Sequence, residues 1–161
     1  MGFRTEKDLF GAAISSVYIQ KMLNSDLNLA CFVEPKGLFG IPDLVIVNAN
    51  PCLASCGKQL RVFAFEMKLS NWRRALIQAF KYRAFAHCSI VLIDADHVGP
   101  AISHLDQFRK SRIGLLSIAD DGHLRIHNRP SFSAPYSTML ETHLSEKVLN
   151  RSPRLVGVGP R

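Results

Sequence analysis

No apolar run in the 161 residues approaches the ~18 needed to cross a bilayer as a helix. A membrane role is therefore not expected. Neither GxGxxG nor GxxxxGK[ST] occurs, which removes the glycine-rich phosphate loops of dinucleotide-binding and P-loop α/β proteins. The first residues, Met-Gly-Phe-Arg-Thr-Glu-Lys-Asp, carry charge where an export signal needs its apolar segment, so a cytoplasmic setting is expected. Cysteine is sparse: Cys31, Cys52, Cys56 and Cys88 are the four, and without an export signal they read as reduced thiols. Cys31 and Cys88 sit in apolar, strand-like runs and read as core. Cys52 and Cys56 lie in a loop with the spacing of two zinc ligands, but no second pair is near and His123 and His127 are far along the chain, which favours ordinary thiols. Internal repeats and low-complexity tracts are absent.

What is present suits one globular domain. Apolar residues make up 47% of the chain, enough for a real core, and the length leaves little room for a second domain. Residues 1–150 are expected to form that domain. Residues 151–161, with Pro153, two glycines and three arginines, read as a flexible basic tail. Twenty Lys and Arg against thirteen Asp and Glu give a net charge of +7, which favours a polyanionic partner without identifying it.

Thr5 is placed to cap a helix reaching about Asn24, with Glu6 in its first turn, Asp8 in a capping-box position, and Phe10, Ala13, Ile14 and Val17 as a buried stripe. Leu27 to Glu34 and Ile41 to Val47 read as strands, Asn48 to Lys58 as a loop, and Arg61 to Leu69 as a third strand. Ser70 or Asn71 then caps a helix whose apolar stripe is Trp72, Ala75, Leu76, Ala79 and Phe80. Arg74, Gln78, Lys81 and Tyr82 line another face of it. A strand at Cys88 to Asp94, a helix from Pro100 to about Lys110 and a strand at Ile113 to Ile118 follow. Asp120-Asp121-Gly122 turns the chain into an edge strand, Leu124 to His127, and Tyr136 to Asn150 reads as a terminal helix. This order suits an α/β sandwich with a mixed sheet, antiparallel at first and parallel where helices intervene. His123 and His127 share one side of their strand and read as exposed. Asp94 and Asp96 mimic paired carboxylates, although a strand running into a loop accounts for them equally well.

The chemistry concentrates between Gly40 and Tyr82. Asp43 follows Pro42 at the start of a strand. Alternation on the third strand sets Glu66 and Lys68 on one face with Val62 and Ala64, while Phe63, Phe65, Met67 and Leu69 claim the other for the core. Two opposite charges at a strand end are costly to bury unpaired, and a bound cation or substrate makes sense of them. Two carboxylates offer hard oxygen ligands, suited to Mg²⁺ or Mn²⁺. The bland reading of Glu66 and Lys68 is an edge-strand ion pair.

Pro42-Asp43, then Glu66-Met67-Lys68 on a strand, then Gln78 and Tyr82 four apart on a helix, resembles the PD-(D/E)XK nuclease superfamily over about residues 5–118. The resemblance implies a restriction-endonuclease-like α/β sandwich with a central mixed sheet flanked by helices. It implies a Mg²⁺- or Mn²⁺-dependent nuclease acting on nucleic acid, DNA in the first instance. Asp43 and Glu66 would be the metal ligands together with the Met67 backbone carbonyl. Glu6 would be a further metal-binding acid, or else an acid favoured only by the helix dipole. Lys68 would orient water and stabilise developing charge, Gln78 would position water or phosphate, and Tyr82 would support helix and backbone placement. Arg73, Arg74, Lys81 and Tyr82 would form the nucleic-acid-binding strip. Cutting both strands of a duplex needs two sites, which raises a homodimer as an expectation. The alternative is a non-catalytic nucleic-acid-binding or assembly subunit with the same fold.

Overall fold

The computed structural model describes residues 2–49 and 60–150. In chain order the elements are α1 (Glu6–Ser15), α2 (Val17–Leu23), β1 (Asn28–Val33), β2 (Leu44–Ala49), β3 (Leu60–Lys68), α3 (Trp72–Tyr82), β4 (Cys88–Asp94), a 3-10 turn (Ala95–His97), α4 (Gly99–Ile102), α5 (Leu105–Ser111), β5 (Gly114–Ile118), β6 (Leu124–Asn128) and α6 (Thr138–Asn150). Six strands make one open mixed sheet in the order β1-β2-β3-β4-β5-β6. The pairs β1/β2, β2/β3 and β5/β6 are antiparallel; β3/β4 and β4/β5, each joined through helices, are parallel. This is the mixed α/β sheet expected from the order of apolar runs.

Helices cover both faces. On one face, Val45, Val47, Val62, Ala64, Val91 and Ile93 pack under α3, Phe108 of α5, and Leu144 and Val148 of α6. On the other, Leu44, Ile46, Phe65, Met67, Ile90 and Leu92 pack under Leu9, Ala13 and Ile19. Double coverage explains why β2 and β4 are near-continuous Val/Ile/Leu runs without alternation. It also corrects the expectation for β3, where the face carrying Val62, Ala64 and Glu66 is core too. The ion pair considered for Glu66 and Lys68 forms, but on a central strand and not on an edge.

The expected first helix is two. The capping box at Thr5 forms as read, with Asp8 N–H donating to Thr5 Oγ1 and Thr5 N–H to Asp8 Oδ2. At Ser16 the backbone turns extended: its hydroxyl donates to Ala13 O (2.6 Å), ending α1, and accepts from Ile19 N–H (3.3 Å), starting α2. The break resets the helical phase, so Val17 is 71% exposed while Ile19 is buried. A serine serving as both stop and cap uses two polar bonds to override the apolar periodicity.

Helix α3 is capped by Asn71, whose Oδ1 accepts from Arg74 N–H at 3.2 Å. Its buried stripe is Trp72, Ala75, Leu76, Ala79 and Tyr82; Phe80, expected in the core, is exposed and rests on Tyr136 instead. Phe80 and Tyr82 flank the stripe on opposite sides, and the side with a buried carboxylate takes the phenol. The helix expected at Pro100 to Lys110 is divided into α4 and α5 at His104, whose ring packs on Trp72. The turn after β5 forms as expected, with Gly122 at φ 82° and its N–H donating to Ala119 O.

Asn48 and Ala49, expected in the loop, complete β2 opposite Arg61 and Leu60. The rest of that loop, Cys52, Cys56 and the expected tail lie outside the described residues. Cys88 is buried and Cys31 half-buried, and burial pushes both thiols up, Cys88 to about 11, as befits inert core positions. No helix among the described residues is long and apolar enough to cross a membrane.

The phase reset at Ser16 separates two residues that one continuous helix would bury together. Leu9→Ala is expected to cost about 2–5 kcal/mol and Val17→Ala less than about 0.5 kcal/mol in urea denaturation. Similar losses at both would mean that Val17 is core after all.

Candidate active site

The site lies where β2 begins and β3 ends. Pro42, buried, leads Asp43 into the sheet: Asp43 N–H donates to Phe65 O (3.0 Å) and Asp43 O accepts from Glu34 N–H (3.1 Å). The register ends at Leu44 opposite Phe65, and Asp43, just before β2, shifts out of it by bonding its N–H to the same Phe65 carbonyl. The two carboxylates, 23 positions apart in the chain, nevertheless come close enough for the charge of Glu66 to act on Asp43. Asp43 Oδ2 is held by Met67 N–H at 2.6 Å.

Glu66 is 1% exposed, which for a carboxylate demands compensation. Lys68 Nζ lies 3.1 Å from its Oε1, and the Tyr82 hydroxyl donates to its Oε2 at 2.5 Å. The same hydroxyl oxygen lies 3.0 Å from Ile41 O, tying the loop before Asp43 to α3. Lys68 completes its donor set with Met67 O (3.2 Å) and Glu6 Oε2 (3.3 Å). Glu6 thus does more than answer the α1 dipole: it reaches from the opposite helical layer to the end of β3. The cluster is a carboxylate-lined end of the sheet with one ammonium at its centre.

These contacts set the protonation behaviour. Burial, reinforced by the charges of Glu66 and Glu6, raises Asp43 from 3.8 to about 6, against the opposing pull of the Met67 N–H and Lys68. Burial disfavours the charged form of Lys68, but Glu66 first, then Asp43 and Glu6, outweigh it and hold the ammonium above its ordinary pKa. Burial, then the bond to Glu66 and its charge, push the Tyr82 phenol well above its usual range, so it is a fixed donor.

Gln78 is half-buried on the Tyr82 side of α3, and its Oε1 is enclosed without a hydrogen-bond partner among the described residues. An unsatisfied buried amide oxygen is costly unless something donates to it. Arg74 and Lys81 are exposed on the outer side of α3, and Arg73 is exposed with its guanidinium 4.5 Å from the Trp72 ring. Tyr82, expected in the nucleic-acid-binding strip, is instead buried against Glu66 and cannot touch a backbone directly.

The other sequence candidates separate from this cluster. Asp94, 1% exposed at the end of β4, accepts from Phe3 N–H and Asp96 N–H and lies 3.2 Å from His97 Nδ1, so it caps the turn after β4, and its carboxylate and that of Asp96 both border Gly2, in keeping with the strand-to-loop reading. His123 is exposed as expected, but His127 is half-buried with Nε2 2.7 Å from the Ser117 hydroxyl. His127 belongs to edge strand β6, two strands beyond β4, and His123 immediately precedes it. Glu6 reaches the cluster as the sequence suggests, whereas the inward turn of Tyr82 is not foreseen by it. The only local hint was Gly40, at φ 94°, where a Cβ would stand 2.8 Å from the Tyr82 ring.

As a donor set, Asp43, Glu66, Glu6 and the Met67 carbonyl offer hard oxygens with neither imidazole nor thiolate, which fits Mg²⁺ or Mn²⁺ in kind. Among the described residues no three His, Cys, Asp or Glu side chains are already arranged around a metal position. Lys68 engages Glu66, Glu6 and the Met67 carbonyl. The chain matches no protein-family model, no curated protein and no solved structure.

A carboxyl whose folded pKa is raised costs stability above its ordinary pKa, and the cost grows until the raised value is passed. For Asp43 that window runs from 3.8 to about 6. Asp43→Asn, which keeps an acceptor for Met67 N–H, is therefore expected to gain on the order of 2 kcal/mol at neutral pH after allowance for partial exposure. The gain should vanish near pH ~4. Loss of stability at neutral pH, read by urea denaturation, would show that Asp43 is favourably held.

Proposed function

We propose that this protein is a metal-dependent nuclease of PD-(D/E)XK type, with the restriction-endonuclease-like version of its α/β fold, hydrolysing phosphodiester bonds most readily in DNA. The observation that carries this reading is the gathering of Asp43, Glu66 and Lys68 at the end of β3, with Asp43 Oδ2 on the Met67 N–H at 2.6 Å and Lys68 Nζ 3.1 Å from Glu66 Oε1. The oxygen donor set, the unsatisfied Gln78 amide and the basic outer side of α3 support it. So does the net charge of +7, since phosphate contacts supply most sequence-independent affinity for nucleic acid. The free thiols of Cys31 and Cys88 are in keeping with a cytoplasmic setting.

A divalent cation held by Asp43, Glu66 and the Met67 carbonyl would supply charge neutralisation at the phosphate and acidify water. Lys68, kept charged by its carboxylate neighbours, donates hydrogen bonds that orient the attacking oxygen and stabilise charge as it develops. Tyr82 fixes the rotamer of Glu66, so that its Oε1 stays directed at Lys68. Gln78 offers its amide oxygen to a water at the site, and Arg73, Arg74 and Lys81 hold the backbone of the bound strand.

A second reading, a binding or assembly subunit without turnover, is favoured by one feature: Lys68 already satisfies itself on Glu66, Glu6 and Met67 O, a closed cluster that needs no cation. Plasmid nicking separates the two. Wild type is expected to nick supercoiled DNA with Mg²⁺ or Mn²⁺ and not with EDTA, and Lys68→Ala to lose about a hundredfold or more in rate. Undiminished cutting by Lys68→Ala removes the lysine from the mechanism. DNA binding in EDTA without cutting in either metal favours the second reading.

A further inference from the structure

Between Glu34 and Asp43 the chain runs Pro-Lys-Gly-Leu-Phe-Gly-Ile-Pro, with no acid. This loop is pinned from both sides. Lys147 of α6 donates to Lys36 O at 3.1 Å, and Leu38 packs against the core. Gly40, at φ 94°, lies so close to the Tyr82 ring that any Cβ would collide with it, and Ile41 O meets the Tyr82 hydroxyl. Pro42 is buried.

The pinning leaves two large apolar side chains in solvent: Phe39 at 54% and Ile41 at 52% exposed. Burying an exposed phenylalanine is strongly favourable, and on a loop already held little order remains to be lost on binding. Phe39 is four residues from Asp43, at most about 14 Å along the chain. Tyr82, which anchors this loop, is also the residue that holds Glu66. A phosphate at the carboxylates therefore brings the base of a neighbouring nucleotide within reach of the ring.

Resting on the nuclease reading, we infer that Phe39, with Ile41, is a stacking wedge that takes an unstacked nucleobase flanking the scissile phosphate. Every base has a π-face for an aromatic ring to cover, but in an intact duplex that face is already stacked. The favoured substrate is then single-stranded or locally opened nucleic acid, such as a gap, loop or branch, in preference to continuous duplex. The absence of acids from the loop and the positive net charge suit a polyanion better than a second copy of this +7 chain.

The test is binding in EDTA, where no cleavage occurs, to an oligonucleotide carrying 2-aminopurine, presented single-stranded and as duplex. Wild type is expected to prefer the single strand and to change the 2-aminopurine fluorescence. Phe39→Ala should weaken single-strand binding about tenfold or more, leave duplex binding within about twofold and abolish the fluorescence change, while Phe39→Trp restores both. An unchanged circular dichroism spectrum and melting temperature check that this exposed position leaves the fold intact. Equal binding by wild type and Phe39→Ala, a wild-type preference for duplex, or a dimer dissociated by Phe39→Ala in sedimentation would each overturn the wedge. Nicking by wild type that Lys68→Ala loses and Phe39→Ala retains, with unaltered binding, overturns the wedge and leaves the nuclease reading standing. A wild type that neither binds nor cuts nucleic acid overturns both.

Discussion

The carboxylate of Glu66, enclosed near the end of central strand β3, is the constraint around which its surroundings are arranged. Moving such an ion out of water costs several kcal/mol even after relaxation, so it persists only with close, well-aimed partners. Lys68 supplies the opposite charge and Tyr82 a proton donor. Each partner then recruits others. Lys68 draws Glu6 from the helical layer on the opposite face, and Tyr82 draws the loop carbonyl of Ile41. Glycine at position 40 follows, because the phenol ring occupies the space a Cβ would need.

Asp43 extends the same electrostatics. It joins a site that already holds two acids and one ammonium, and it does so partly desolvated, which raises its carboxyl to about 6. A charge held against this bias raises the free energy of the folded chain, a common feature of sites arranged for a ligand. Lys68 at the centre neutralises part of the cluster, and the same donors suit a small divalent cation. An ion-pair network and a metal site are thus two uses of one set of oxygens.

Local chemistry was legible wherever a residue answers mainly to its chain neighbours. The Thr5 capping box, the Asn71 cap, the turn at Gly122 and the bounds of β4 all follow from short-range rules. Reading failed where two elements compete for one residue. Ser16 ends one helix and starts the next, so the apolar stripe does not run on through Val17. Phe80 and Tyr82 lie symmetrically about the α3 stripe, and hydrophobicity alone favours Phe80 for the core. The buried acid on β3 reverses the choice, because a phenol satisfies it and a phenyl ring cannot.

The sequence by itself determined the order of strands and helices, the mixed sheet that order implies, and which residue types carry the chemistry, because periodicity, caps and turns act over a few residues. That Asp43 comes to the end of β3 was decided by the antiparallel pairing of β2 on β3, a long-range contact that ends at Leu44 and Phe65 and leaves the Asp43 carboxylate on the Met67 N–H. The partners of Lys68, the burial of Tyr82 and the exposure of Phe39 were likewise decided only by packing. They depend on which surfaces of distant elements come to cover one charge, and that depends on the whole fold.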